Sequence, residues 1–313
     1  MINKKKKIII AVFIFLVVVS LAAIVIVRYH NDKNQSKGFV KDAKQVNSVA
    51  SPNKAAVNNE SDKVKVEPVF SNEADFKNKT LVYNDKSIPV LMYHCVDTLI
   101  DPKTGQPNEM YVPKEKFEEQ MQYLKNNGYT TLTMNQLYDF FANNKPVPEK
   151  SVVITLDDGY ENNYVNAFPI LKKFNFTATV FVITNMVDKS TEYLSSDQIK
   201  EMNNYGLDME PHTLSHPHLT DLKYVDQLKE LKESKEFMEK LTGKSEDFVA
   251  YPYGNHSQYT VKAATEAGYK LAFTTDGPWS NKKNGLLTLN RVYVNAAKSI
   301  DVFKYRLSNA NYE

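Results

Sequence analysis

The chain has 313 residues, 42% of them hydrophobic and 24% charged, with a formal net charge of +2. Those proportions supply a globular core and exclude a wholly disordered polymer, and the near-neutral charge withholds the electrostatic support that a nucleic-acid partner needs. A lone cysteine, Cys95, excludes an intrachain disulfide framework and a thiolate zinc cluster.

Residues 1–7 end in a lysine cluster, and residues 8–27 form an apolar run interrupted only by Ser20. At the helical rise such a run spans about 30 Å, the thickness of a bilayer's hydrocarbon core. A cleaved signal peptide has a shorter apolar region that stops at its cleavage site, whereas this one continues past Ser20-Leu21-Ala22 to Val27. The expectation is a cytoplasmic tail at 1–7, one transmembrane anchor at 8–27, and the rest of the chain outside the cell membrane. Arg28, Lys33 and Lys37 flank the far end, so this orientation rests on the tightness of the 4–7 cluster. Residues 28–86 are rich in Asn, Lys, Ser and Asp and poor in aromatics, without apolar periodicity, which predicts a flexible, disordered tether.

The folded domain is expected at 87–313. Short β-rich runs occur at 88–94, 129–133, 151–157, 176–183, 207–213, 248–254, 269–275 and 289–295. Helical patterns separate most of them. One covers 114–127 and closes at Gly128; a capping box from Ser195 to Gln198 opens another. A third covers 221–242, with Val225, Leu228, Leu231, Met238 and Leu241 on one face and Gly243 as its stop. Strands alternating with helices predict parallel β/α units, hence an α/β fold: a distorted (β/α) barrel of seven to eight strands.

Parallel β/α folds carry their chemistry at the C-terminal strand ends. Those ends read Leu91-Met92-Tyr93-His94, Thr155-Leu156-Asp157-Asp158-Gly159, His212-Thr213-Leu214-Ser215-His216 and Tyr251-Pro252-Tyr253-Gly254. Strand alternation turns Asp157 and Asp158 to opposite faces, so one suits a metal and the other a base. Two facing carboxyls, as a glycosidase needs, are not expected from such neighbours. Asp-Asp-Gly is equally a common turn. His212 and His216 have helical ligand spacing, but Pro217 disfavours a helix there, so a strand end and its loop are expected. Two imidazoles and a carboxylate form a set that leaves metal positions open to water; a solvated His-rich loop is the bland alternative. His218 has no assigned role, and Cys95 reads as a small buried hydrophobe rather than a nucleophile.

Taken in order, TLDDG at 155–159, HTLSH at 212–216 and YPYG at 251–254 resemble the polysaccharide deacetylase family, carbohydrate esterase family four. The resemblance covers roughly 87–295. It implies Asp157 as catalytic base, Asp158, His212 and His216 as ligands of a divalent metal, usually Zn2+ with Co2+, Ni2+ or Mn2+ as alternatives, and the Tyr253 N–H as oxyanion donor. Two features depart from the common pattern. Ala250 stands where many members carry an arginine beside the base, and the stretch 287–291 lacks the histidine of a C-terminal Leu-x-His motif. A subgroup acting on poly-N-acetylglucosamine carries that histidine at the first strand, which LMYH at 91–94 resembles, so His94 becomes the general acid. A core histidine closing the barrel is the alternative for that residue. Arg291, on the last strand, is expected to reach Asp157 in place of the missing arginine.

Tyr160, Tyr253 and Trp279 are candidates to line the sugar groove, since aromatic faces stack on sugar C–H surfaces, and Pro252 of the same turn is a further substrate-binding candidate. The implied activity is metal-dependent hydrolysis of N-acetyl groups from N-acetylglucosamine units of a cell-envelope polysaccharide. Peptidoglycan stands first and exopolysaccharide second, in a Gram-positive envelope, with the protein as a monomer. A glycan-binding protein that has lost catalysis is the rival, and its best support is the alanine at position 250.

Overall fold

The structure, a computed structural model, describes residues 76–275 and 277–312. The expected anchor at 8–27 and most of the expected tether lie outside the described residues. Among those described, no helix is long and apolar enough to cross a membrane.

All eight expected strands are present, each shorter than expected: β1 (Val90–Tyr93), β2 (Thr130–Thr131), β3 (Ser151–Leu156), β4 (Thr179–Val182), β5 (Asp208–Pro211), β6 (Phe248–Ala250), β7 (Leu271–Phe273) and β8 (Val292–Tyr293). Every ladder among them is parallel. The order is β8-β1-β3-β4-β5, with β2 paired to the start of β3. Strands β6 and β7 form a separate parallel pair. The expected helices appear as α1 (Lys114–Asn126), α4 (Ser196–Tyr205) and α5 (Tyr224–Thr242), alongside α2 (Met134–Asn143), α3 (Phe168–Phe174), α6 (Gln258–Glu266) and α7 (Ile300–Ser308). The Ser195/Gln198 capping box forms, and Gly243 ends α5 in the left-handed conformation, where a Cβ would be strained.

Two expectations need correcting. The tether does not extend to 86: Leu81–Val82 pairs antiparallel with Val147–Pro148, and Asn84 donates to the Phe141 carbonyl. A two-residue strand is too short to leave a periodic signal. Along α5, Val225 is exposed, and the buried face is Gln227, Leu231, Ser234 and Met238. The polar members of that face find partners inside: Gln227 accepts from Thr260, and Ser234 donates to the Leu231 carbonyl.

Strand alternation sorts the core into two layers. Leu91, Tyr93, Val152, Ile154, Leu156, Val180 and Val182 pack outward against the helices in one cluster with Phe117, Met121 and Leu124 of α1. Val90, Val153 and Phe181 belong to a second cluster with Phe248, Leu271, Phe273 and Leu289. Continuing the period along β3 puts Thr155 and then Asp157 on the side of Val153.

No backbone ladder joins β5 to β6 among the described residues. A side chain substitutes: Glu210 Oε2 on β5 accepts the Phe248 N–H at 3.1 Å. Burial, and next the neighbouring Glu246 carboxyl, push the Glu210 pKa well up, which favours the protonated form in the fold. A carboxyl whose folded pKa is raised weakens the fold as pH climbs above its unfolded value of about 4.3. Glu210→Gln keeps the acceptor and removes that dependence. The melting temperature of this variant should fall less between pH 5 and pH 8 than that of the wild type, while Glu210→Ala, which orphans a buried N–H, should lose roughly 1–3 kcal/mol at all pH values by denaturant unfolding. Equal pH slopes in wild type and Gln variant would contradict this reading of the seam.

Candidate active site

Asp157 is the first residue beyond β3. Its N–H donates to the Tyr93 carbonyl at 2.9 Å, extending the β1–β3 ladder by one rung. Its carboxylate is buried and accepts two hydrogen bonds of 2.7 Å from Arg291, one from each terminal nitrogen. Arg291 is itself fully buried just before β8. Its Nε donates to the Thr274 carbonyl at 2.7 Å and a terminal nitrogen to Thr155 Oγ1 at 3.1 Å. Burial alone would raise the Asp157 carboxyl; the guanidinium outweighs it and holds the pKa down at about 2. The side chain is therefore ionised throughout the neutral range. Arg291 thus reaches Asp157 from the segment just before β8 rather than from position 250.

The next residue, Asp158, takes a left-handed backbone with φ of 73°. That turn defeats strict strand alternation, and both carboxylates line one cleft. Asp158 Oδ1 lies 3.5 Å from His212 Nε2 and 3.3 Å from His216 Nε2. Burial lowers both imidazoles, that of His212 to about 4, so at neutral pH these are contacts to neutral rings rather than ion pairs. The Nδ1 of His212 faces the Ala250 carbonyl at 2.7 Å, which fixes the Nδ1–H tautomer and presents a bare Nε2. Asp158 Oδ1 is buried without a hydrogen-bond partner. One ligand atom from each of the three residues lies within 4.8 Å of the others. Two ligands about 2.0–2.1 Å from a tetrahedral ion sit roughly 3.3–3.4 Å apart, so the observed spacings fit a small divalent cation.

The backbone around this triad is strained. Among the described residues, eight non-glycine residues have positive φ, and five of them are Asn or Asp, which tolerate it. The other three, Thr213, His216 and Tyr253, all belong to the site motifs. The Thr213 hydroxyl accepts the His216 N–H at 3.1 Å, one of the contacts that holds the loop in place. Tyr253 sits in the turn Pro252–Gly254, its ring edge against His216 and its face stacked on His218, with centroids at 4.6 Å and 3.8 Å.

The cleft at the C-terminal strand ends has a volume of about 800 Å³ and is lined by His94, Asp157, Asp158, Tyr160, His212, His216 and Tyr253. His94 follows β1 directly and its Nδ1 is buried without a partner. Tyr160 stacks on Tyr193, centroids 5.2 Å apart, as one wall. Two expected substrate contacts are not brought together with the rest. Pro252 is buried at the start of its turn. Trp279 lines a different cavity with Tyr123, Tyr129 and Leu307, and its indole N–H donates to the Arg306 carbonyl at 2.7 Å. The cause is topological: by Ser280 the chain bridges Ile88, ahead of β1, so the loop after β7 has returned to the opposite end of the sheet. Cys95 is buried and its thiol is pushed up to about 12, chiefly by burial, which removes it as a nucleophile. The sequence reading missed Glu109, Met110, Ile183, Met186, Tyr193 and Tyr293 in the lining. Ile183 and Tyr293 occupy strand ends and were open to the same rule; Glu109 and Met110 lie in a loop with no periodic signal.

Arg291→Ala leaves a buried carboxylate without a counter-charge and should cost about 3–5 kcal/mol in denaturant unfolding. In the wild type, the stability from this depressed carboxyl is complete above its unfolded pKa of about 3.9 and is lost as pH falls towards the folded value of about 2. The variant should lack that acid step. Gly254→Ala should also destabilise: φ is +71°, and a Cβ would collide with Thr275 Oγ1 and approach Thr275 N to 2.6 Å. A lowered melting temperature and a weakened metal affinity are expected together; unchanged melting would show that the turn relaxes.

A family model described as polysaccharide deacetylase matches residues 144–272, a segment that contains Asp157, Asp158, His212, His216 and Tyr253 and excludes His94 and Arg291. YxkH of Bacillus subtilis (strain 168), which carries a polysaccharide deacetylase name, is 34% identical over 216 residues, covering 69% of this chain and 74% of that protein. The poly-β-1,6-N-acetyl-D-glucosamine N-deacetylase of Staphylococcus epidermidis is 32% identical over 223 residues, covering 64% of this chain and 77% of that one. Among solved structures, the Streptococcus pyogenes deacetylase PplD in complex with acetate aligns with a TM-score of 0.68 at 33% identity, over 71% of this chain and 98% of that chain. The chain belongs to the polysaccharide deacetylase family.

Proposed function

We propose that this protein removes N-acetyl groups from N-acetylglucosamine units of a cell-envelope polysaccharide, releasing acetate. The observation that carries the reading is the pairing of an ionised, arginine-held Asp157 with an adjacent Asp158–His212–His216 triad in one cleft. The Arg291 contact also answers the main argument for a non-catalytic glycan binder, since the base has its counter-charge. The arc of eight strands is read as a distorted barrel with this cleft at its mouth.

Asp158, His212 and His216 would hold a divalent ion, zinc by the character of the ligand set, and that ion supplies Lewis-acid polarisation of the acetyl carbonyl and acidifies water. Asp157 accepts the proton of the attacking water. The guanidinium keeps that carboxylate charged and aimed, at some cost in basicity. The Tyr253 N–H, in its left-handed turn, donates to the oxyanion as the carbonyl becomes tetrahedral. His94 gives a proton to the departing nitrogen, and the C–N bond breaks to yield acetate and a free amine. Tyr160 and Tyr193 offer a stacked aromatic wall for the sugar ring.

Of the two polymers, peptidoglycan suits an enzyme confined near a wall by a membrane anchor at 8–27 and a tether. The similarity to the Staphylococcus epidermidis enzyme favours the poly-β-1,6-linked exopolysaccharide as the second reading. The extracellular placement of the catalytic domain, the Gram-positive envelope and the monomeric state rest on the sequence arguments above.

Acetate release from N-acetylglucosamine oligomers should be abolished by a chelator and restored by zinc. Asp157→Asn should stop turnover while metal stays bound, and His94→Ala should lower kcat by roughly 10²–10⁴. Metal lost from the Asp157 variant would move that residue into the ligand set; no release from any acetylated glycan would leave the binding-protein reading. Mass spectrometry of muropeptides and exopolysaccharide with and without the gene separates the two polymers.

A further inference from the structure

The cleft walls carry three carboxylates, Glu109, Asp157 and Asp158, and among the described residues no lysine or arginine lines them. Asp157 is neutralised from behind by Arg291, and Asp158 belongs to the ligand triad. Glu109 is the remaining charge. Its backbone carbonyl accepts the Ala296 N–H at 2.7 Å, and its Oε2 accepts from Asn295 Nδ2 at 2.6 Å. Both partners come from the segment directly after β8, so the residue is pinned through backbone and side chain together. An amide orients a carboxylate without cancelling its charge. Tyr293 lines the same cleft as Glu109.

A carboxylate that is already oriented spends little side-chain entropy when a cation arrives. The cations that an N-deacetylase meets on its own polymer are the ammonium groups of sugars already relieved of acetyl. We infer that Glu109 forms a subsite for the ammonium of a glucosamine unit neighbouring the N-acetylglucosamine being processed. The inference rests on the deacetylase reading above in its poly-β-1,6-linked exopolysaccharide form, where every neighbouring unit is a glucosamine derivative, and not on its peptidoglycan form. It makes the enzyme favour partly deacetylated chains over fully acetylated ones and disfavour glycans with anionic substituents at that subsite.

The test is titration calorimetry of the full-length protein with a β-1,6-linked glucosamine trimer and with its fully N-acetylated counterpart, for wild type, Glu109→Gln and Glu109→Lys. Glu109 is exposed, so neither change disturbs the core. The ratio of the two affinities should favour the glucosamine trimer in the wild type, fall about three- to tenfold in Glu109→Gln, and fall further in Glu109→Lys. Added salt should shrink the wild-type ratio and leave that of Glu109→Gln nearly flat. Identical ratios in wild type and Glu109→Gln, or no binding of either trimer, would overturn the inference. Acetate release from the acetylated trimer is measured on the same wild-type sample. A shifted ratio without release counts against the deacetylase reading, and release with an unshifted ratio removes Glu109 alone.

Discussion

The buried pair between Asp157 and Arg291 organises the molecule. It joins the end of β3 to the start of β8 across 134 residues of sequence, and it does so inside the sheet rather than on its surface. Every donor of the guanidinium with a recorded contact points at an element of the site: the carboxylate, the Thr155 hydroxyl on the same strand, and the Thr274 carbonyl just beyond β7. Thr155 in turn donates to the Leu91 carbonyl on β1. One arginine thereby links four strands, β1, β3, β7 and β8. A hydrophobic pair could fill the same volume at lower desolvation cost, so the pair is better explained by what it does to the carboxylate than by stability.

That arrangement lets the rest of the site be built from local strain. With Asp157 held by long-range contacts, Asp158 turns away from strand geometry within one residue. Thr213, His216 and Tyr253 adopt left-handed backbones that no helix or strand would permit. Each such residue costs of order 1–3 kcal/mol, and the surrounding hydrogen bonds hold it in place. The two imidazoles are kept neutral by burial and so remain competent as ligands.

The strands and the site residues were legible because both follow from periodicity. Alternation along 151–156 identifies β3, and the two carboxylates that follow its C-terminal end line the cleft. The same reasoning placed His94, His212 and Tyr253 on one rim. It placed Asp158 in the ligand set but misjudged the side it faces, because a positive φ leaves no mark in the sequence when the residue is aspartate rather than glycine. It misplaced Trp279, because the direction of a loop after its strand depends on a pairing with Ile88 that lies almost two hundred residues away. The helix α2 also escaped notice, although Thr133 and Gln136 form a capping box as clear as the one at Ser195. The pairing of Arg291 with Asp157 was inferred from an absence at position 250, and the geometry supplies the contact directly.

The pairing of β8 with β1 has a consequence for the order of events during folding. The acid candidate lies at the beginning of the domain and the counter-ion of the base near its end, and the two strands that carry them are neighbours. Until β8 docks, Asp157 has no guanidinium and cannot be buried as an anion. The interior then either stays wet or holds a protonated carboxyl. Closure of the sheet and completion of the catalytic machinery are therefore a single event, timed by the last strand to be made.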